Sequence, residues 1–230
     1  MEVKNVIITG ASRGIGLELV KYFSKGGHQV LALTRNREKI DLLQKDYDHI
    51  AALEVEITKE KDLQTVVDFV ERRWKKVDIL IHNAGKLIHK PFFNTSIDDF
   101  INVYKVNVFA VAGLTKVMLK YMGRGSHVVT ISSIGGVQGS VKFAGLSAYS
   151  SSKGAVITLM ELLAEEYKES GIAFNTLALG AVQTEMLAQA FPGFKAPVTA
   201  EEMSAYIADF ALKAGKVING KVIPVSNSTP

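Results

Sequence analysis

A short apolar run, Val6-Ile7-Ile8, passes without a break into Thr9-Gly10-Ala11-Ser12-Arg13-Gly14-Ile15-Gly16. Beyond it Ile15, Leu17, Leu19, Val20 and Phe23 recur at helical spacing until Gly26-Gly27. A continuous apolar run of this length reads as a strand buried on both faces, and the periodic stretch as the helix packed on it. The unit is therefore strand, glycine turn, helix. Gly10 permits the tight turn, Gly14 lets a pyrophosphate approach the backbone, and Gly16 lets the helix lie close on the strand. The helix start adds free N–H groups and the positive end of a dipole, so the turn predicts a dinucleotide site.

The alternation continues along the chain. Strands are expected at 29–34, 51–55, 77–81, 128–131, 173–179 and 222–225, with helices at 37–45, 62–74, 97–122 and 148–170. Strands alternating with helices imply a parallel, doubly wound α/β sheet. One domain spanning 1–230 accounts for the whole chain. Residues 183–199, rich in Phe, Pro, Gly and Ala, have no clear period and are expected to form a mobile substrate loop at the C-terminal edge of the sheet.

Composition removes several classes of function. With 230 residues, 47% of them hydrophobic, the chain can bury a large core. The formal charge of +4 is carried by scattered basic residues such as Lys21, Lys39, Lys59 and Lys120, which reads as a solvated surface and not as a nucleic-acid face. Absence of cysteine excludes disulfides, thiolate nucleophiles and Cys-based metal sites, and the five histidines show no HxxxH or HExxH spacing, so no metal is expected. No apolar run is long enough to cross a bilayer and no signal peptide precedes the first strand. A cytoplasmic protein without a membrane partner is the expectation.

The chemistry-bearing stretch is 133–153. Tyr149 and Lys153 stand four positions apart, on one face of the expected helix, where an ammonium beside a phenol would favour phenolate. Ser133 follows an apolar strand, at the edge where open α/β sheets bind ligands.

These segments together resemble the short-chain dehydrogenase/reductase family over essentially the whole chain. Thr9 to Gly16 fits its TGxxxGxG; Asn83-Ala84-Gly85 fits three residues of its NNAG; Asn107, Ser133, Tyr149 and Lys153 fit its tetrad in order; and Asn175 with the stretch from Gly180 to Thr184 resembles the segment at the nicotinamide end. The resemblance implies a single-domain Rossmann fold with about seven parallel strands flanked by helices. It implies an oxidoreductase in which Tyr149 is the general acid in carbonyl reduction and the base in the reverse direction. Lys153 would lower its pKa and bind the nicotinamide ribose, Ser133 would hydrogen-bond the substrate oxygen, and Asn107 would hold a water between Lys153 and solvent. Ser132 is the rival to Ser133, which is preferred because Gly136 follows it at the family's serine-glycine position. The cofactor contacts expected are Gly10, Ser12, Arg13, Gly14, Ile15 and Gly16 from the turn, and Thr34, Arg35, Glu56 and Ile57 from the next two strand ends. Asn83, Ala84, Gly85, Tyr149, Lys153, Val182 and Thr184 complete the set. The chain departs from the family at His82 for Asn, Glu56 for Asp, Leu179 for Pro, the stretch 139–143 and the tail 226–230. His82 reads as a core histidine. A second reading, a nucleotide-binding regulatory or scaffold protein sensing NADP(H), keeps the fold but leaves Tyr149 and Lys153 without a purpose.

Cofactor choice is legible at the end of the second strand. Leu33-Thr34-Arg35 has no carboxylate to bind a ribose diol, and Arg35 with Arg13 can pair with a 2′-phosphate, so NADP is expected ahead of NAD. Met186, Leu187, Phe191, Phe194, Pro197, Val141, Phe143 and Leu146 are the expected pocket walls, with Lys142 and Lys195 as the nearby cations reaching solvent. Such walls suit a small to medium uncharged carbonyl or alcohol substrate. Family members pair through the two long helices, and Val103, Val106, Phe109, Ala110, Leu114, Val117, Val156, Leu159, Met160, Leu163 and Ala164 exceed one sheet-facing stripe, so a homodimer or homotetramer is expected.

Overall fold

The computed structural model describes residues 2–227, and the last part of the divergent tail, 228–230, lies outside them. Seven strands form one parallel sheet in the order β3-β2-β1-β4-β5-β6-β7. They are β1 (Asn5–Thr9), β2 (Gln29–Thr34), β3 (Ile50–Glu54), β4 (Ile79–His82), β5 (His127–Ser133), β6 (Ala173–Leu179) and β7 (Lys221–Val225). Strand side chains alternate across the sheet, and because both faces are covered the strands read as unbroken apolar runs. Val6, Ile8, Ile81, Val129 and Leu177 face the layer of α1 (Gly14–Lys25), α2 (Glu38–Leu43) and α8 (Ala200–Lys213). Ile7, Leu31, Leu80, Val128 and Phe174 face the layer of α3 (Glu60–Phe69), α5 (Ala110–Met118) and α6 (Ser147–Glu166).

The strand order reverses between β1 and β4, which opens a crevice at their C-terminal ends. That is where a doubly wound sheet binds ligands, because the helices that follow the two strands pack on opposite faces and diverge.

Four helical expectations are revised, the first in that the stretch 62–74 is α3 followed by a π turn, Val70–Trp74. The helix expected over 97–122 is interrupted: α4 (Ile97–Tyr104) leads into a π turn at Lys105–Phe109 before α5 resumes, and a 3-10 turn, Leu119–Tyr121, ends it. The irregular stretch 183–199 contains α7 (Glu185–Ala190), capped by the Thr184 hydroxyl accepting from Leu187 N at 3.2 Å. Its two ends meet where Gln183 N donates to Val198 O at 2.8 Å. Helix α8 was not anticipated, although Thr199 and Glu202 form a capping box in which each side chain accepts from the other's backbone N–H.

The long helices turn most of their apolar surplus inward. Val103, Ala110, Leu114, Val156, Met160 and Ala164 are buried within the chain's own layers, whereas Phe109 stays 59% exposed. Among the described residues no helix is long and apolar enough to cross a membrane.

Candidate functional site

The hydroxyl of Thr9 joins the first wall of the crevice to the second. It accepts from Asn83 N and Ala84 N, both at 3.0 Å, while the Asn83 amide donates back to Thr9 O at 3.0 Å and Gly10 O at 3.2 Å. This closeness requires glycine. A β-carbon on Gly16 would stand 2.2 Å from Gly10 O, and one on Gly10, whose φ is +68°, would stand 2.8 Å from Ala84 Cα. The first turn of α1 carries no acidic side chain and Arg13 at its start makes no side-chain cap, so its leading N–H groups open on the crevice. A diphosphate fits such a cradle: backbone donors, a positive helix end and no β-carbons at Gly10 and Gly14.

From the glycine turn a cavity of about 550 Å³ runs to α6. Gly10, Ser12, Arg13, Gly14 and Ile15 line one end, with Thr34 and Arg35 at the end of β2 and Glu56 and Ile57 after β3. Asn83, Ala84 and Gly85 form the floor, and Ser133, Tyr149, Lys153, Val182 and Thr184 the far end. Gly16 and Asn107 stand behind the wall and not in it. Residues not anticipated also line the cavity: Lys86 and Leu87 after Gly85, Asn102, Lys105 and Val106 from α4 and its π turn, and Gln189 from α7. The π turn is why Lys105 and Val106 were missed, since it rotates those side chains away from the face a regular helix would present. Of the expected substrate walls only Met186 and Leu187 line the cavity; Lys142 and Lys195 do not, and Lys142 bonds Val137 O at 2.5 Å instead.

Hydrogen bonding separates the two candidate serines. Ser132 is buried and its hydroxyl donates to Lys153 O at 2.8 Å, whereas the Ser133 hydroxyl accepts only a 3.3 Å bond from Gly135 N and pulls the Tyr149 phenol downward in pKa. Burial outweighs that pull and pushes the phenol up to about 12, although Tyr149 as a residue is half-buried where it meets the cavity. Burial, and not the neighbouring Lys153, thus sets the direction of the shift at Tyr149. The ammonium lies 5.7 Å from the centre of the Tyr149 ring and donates to Ile131 O at 2.7 Å, and burial pushes it down to about 8. Two groups that each resist charge face each other across one short gap.

Asn107 sits in the π turn, 1% exposed, with its amide fully engaged. It accepts from Lys86 N at 2.8 Å and donates to Lys86 O at 3.0 Å and Ser152 Oγ at 2.9 Å, which fixes the segment after Gly85 against α6. Asn175 does not reach the nicotinamide end. It is buried within β6, where its amide bonds His127 Nε2 and Ile218 O, each at 3.0 Å, and accepts from Lys221 N at 3.0 Å, so it anchors β7. His82 behaves as a core histidine: its Nε2 meets Thr115 Oγ1 at 2.8 Å and burial lowers it to about 3. Arg35 is 79% exposed and 3.8 Å from Glu56, a loose pair that leaves its guanidinium free to turn toward the cavity. Among the described residues no three His, Asp or Glu side chains cluster as metal ligands.

Comparison with known proteins agrees with this geometry. Residues 4–193 match the profile of the short chain dehydrogenase family. The short-chain dehydrogenase cctT of Talaromyces islandicus is 33% identical over 184 residues, 79% of this chain and 64% of that protein. The 7alpha-hydroxysteroid dehydrogenase of Escherichia coli (strain K12) is 32% identical over 193 residues, 81% of this chain and 74% of that one. Among solved structures, a short chain dehydrogenase from Burkholderia cenocepacia J2315 in complex with NADP superposes with a TM-score of 0.88 at 25% identity, covering 98% of this chain and 97% of its own.

Proposed function

The chain belongs to the short-chain dehydrogenase/reductase family, and from that premise we propose that it is an NADP(H)-preferring reductase of small to medium uncharged carbonyl compounds, or a dehydrogenase of the matching alcohols. The observation that carries the reading is one continuous cavity with a phosphate cradle at one end and Ser133, Tyr149 and Lys153 at the other. The NADP complex of the Burkholderia relative supports a nicotinamide cofactor here.

A bound nicotinamide would supply the hydride that adds to the carbonyl carbon. The residues of this chain do the rest. Negative charge develops on the substrate oxygen as the carbon is reduced, so the site must stabilise that charge and deliver a proton. Ser133 holds the oxygen through a hydrogen bond, and Tyr149, kept protonated by burial, gives up its proton to it. Lys153 then stabilises the phenolate electrostatically and contributes to the ribose site, while Asn107 holds the Lys86 wall in place. Gly10, Gly14 and the start of α1 would cradle the diphosphate.

Arg13 and Arg35 would hold the 2′-phosphate. Charge-assisted bonds contribute about 1.5–3 kcal/mol each, so Arg35→Asp should cut the NADPH-over-NADH preference at least ~10-fold. Unchanged preference in the ratio of kcat/KM values would remove the assignment.

Leu87, Met186 and Leu187 give the substrate end its apolar wall. NADPH oxidation with matched neutral and anionic ketones should favour the neutral member of each pair. A consistent preference for the anionic member would assign Lys86 or Lys105, which line the cavity, to substrate binding and overturn the uncharged class. Pairing into a homodimer or homotetramer belongs to the same reading, supported by the exposed Ile97, Ile101, Phe109 and Leu162, and a monomeric mass in solution would refute it.

A further inference from the structure

Two segments line the substrate end of the cavity, the loop after β4 and the stretch containing α7, and the loop before α6 packs beside them without entering the lining. His89 touches all three. It stands on the first, and its Nδ1 donates to Ala190 O, the last residue of α7, at 2.7 Å. Because the partner is a carbonyl, this nitrogen must carry the proton. The ring also packs on Phe191, with centres 4.9 Å apart and planes 34° apart.

The opposite edge of the same ring lies on Gly145 of the pre-α6 loop. A β-carbon there would stand 2.4 Å from His89 Cδ2 and 2.6 Å from Nε2, so the contact needs glycine, as does its φ of +80°. Next to it Lys90 N donates to Gly145 O at 3.0 Å. Glycine thus lets the loop before α6 come flush against the histidine.

Helix α7 has six residues, too few to be stable by itself. Its N-terminal end is held by the Thr184 cap, and the base of its segment by the Gln183 bonds to Val198 O and, through Oε1, from Ala196 N at 2.8 Å. Among the described residues, the hydrogen bond that ties its C-terminal end across the cleft is the one from His89. Met186 and Leu187, which line the cavity, ride on this helix.

We propose that His89 is a positioning residue: a latch that fixes α7 over the substrate end of the cavity by joining Ala190 and Phe191 on one side to Gly145 on the other. Its catalytic consequence rests on the reductase reading above; the latch itself does not. His89 is exposed, so its replacement leaves the core untouched.

Hydrogen exchange of the full chain tests the latch directly. In His89→Ala, amides of 185–195 should exchange at least ~10-fold faster, while those of the seven strands stay as protected as before. His89→Asn offers an amide N–H near the position of Nδ1 and should recover much of that protection. In kinetics His89→Ala should raise KM for the carbonyl at least ~10-fold with kcat changed by less than about threefold, and Asn should bring KM back down. Unchanged exchange at 185–195 in the Ala variant, or an Asn variant no better than Ala, would overturn the latch. A loss of protection throughout the sheet would overturn it too. Absence of carbonyl turnover in the wild-type chain would sink the reductase reading and leave the exchange result to decide the latch alone.

Discussion

Tyr149→Phe should lower turnover at least ~10²-fold while cofactor affinity, followed by binding and not by activity, stays near the wild-type value. The phenyl ring keeps the packing of the first turn of α6, and only the transferable proton is lost. Because burial pushes the phenol up to about 12, the wild-type acid is fully protonated throughout the neutral range. Carbonyl reduction should therefore be flat in pH as far as this group is concerned, whereas alcohol oxidation, which needs the phenolate, should speed up as pH rises. A Phe variant that retains normal turnover, or an oxidation rate that falls with pH above neutrality, would exclude Tyr149 as the proton carrier.

Lys153→Met should abolish most of the activity yet leave the fold as stable as before, or more so, at neutral pH. Lys153 is 4% exposed, and burial holds its ammonium at about 8 against an ordinary value of 10.5, a cost on the order of 3 kcal/mol that one bond to Ile131 O only partly offsets. Methionine has a similar length and no charge to desolvate. The sign of the pH effect follows: between about 8 and 10.5 the unfolded chain holds the proton and the folded chain does not, so stability from this group rises with pH across that window. Melting temperatures of wild type and variant should converge as the buffer moves from pH 7.5 to 10, while kcat of the variant remains at least ~10²-fold down. A variant several degrees less stable at pH 7.5 would show that the buried ammonium supports the fold, contrary to this account.

The local signals were readable where one segment sufficed. The turn Thr9 to Gly16 announced a cradle, and the contacts of Gly16 with Gly10 O and of Asn83 with Thr9 O give the glycine spacing its reason. His82 read as a core histidine and pairs with Thr115. Helix α8 was overlooked although Thr199 and Glu202 carried its start, because the irregular stretch before it hid the change of period. The π turn at Lys105–Phe109 could not be read from the apolar pattern, since apolar residues stand on more than one face between Val103 and Val117 and mask the change of phase that one extra residue introduces.

The sequence by itself determined the alternation of buried strands and amphipathic helices, hence a parallel sheet with its crevice beside the glycine turn, and the order of Ser133, Tyr149 and Lys153. These are properties of single segments, set by side-chain period and by where glycine is tolerated. Only the tertiary structure decided the direction in which Tyr149 and Lys153 shift, the engagement of Asn107 with Lys86 and Ser152, the removal of Asn175 to the anchor of β7, and the seat of His89 against Ala190 and Gly145. Each depends on desolvation or on a contact between residues distant along the chain. A local pattern contains neither.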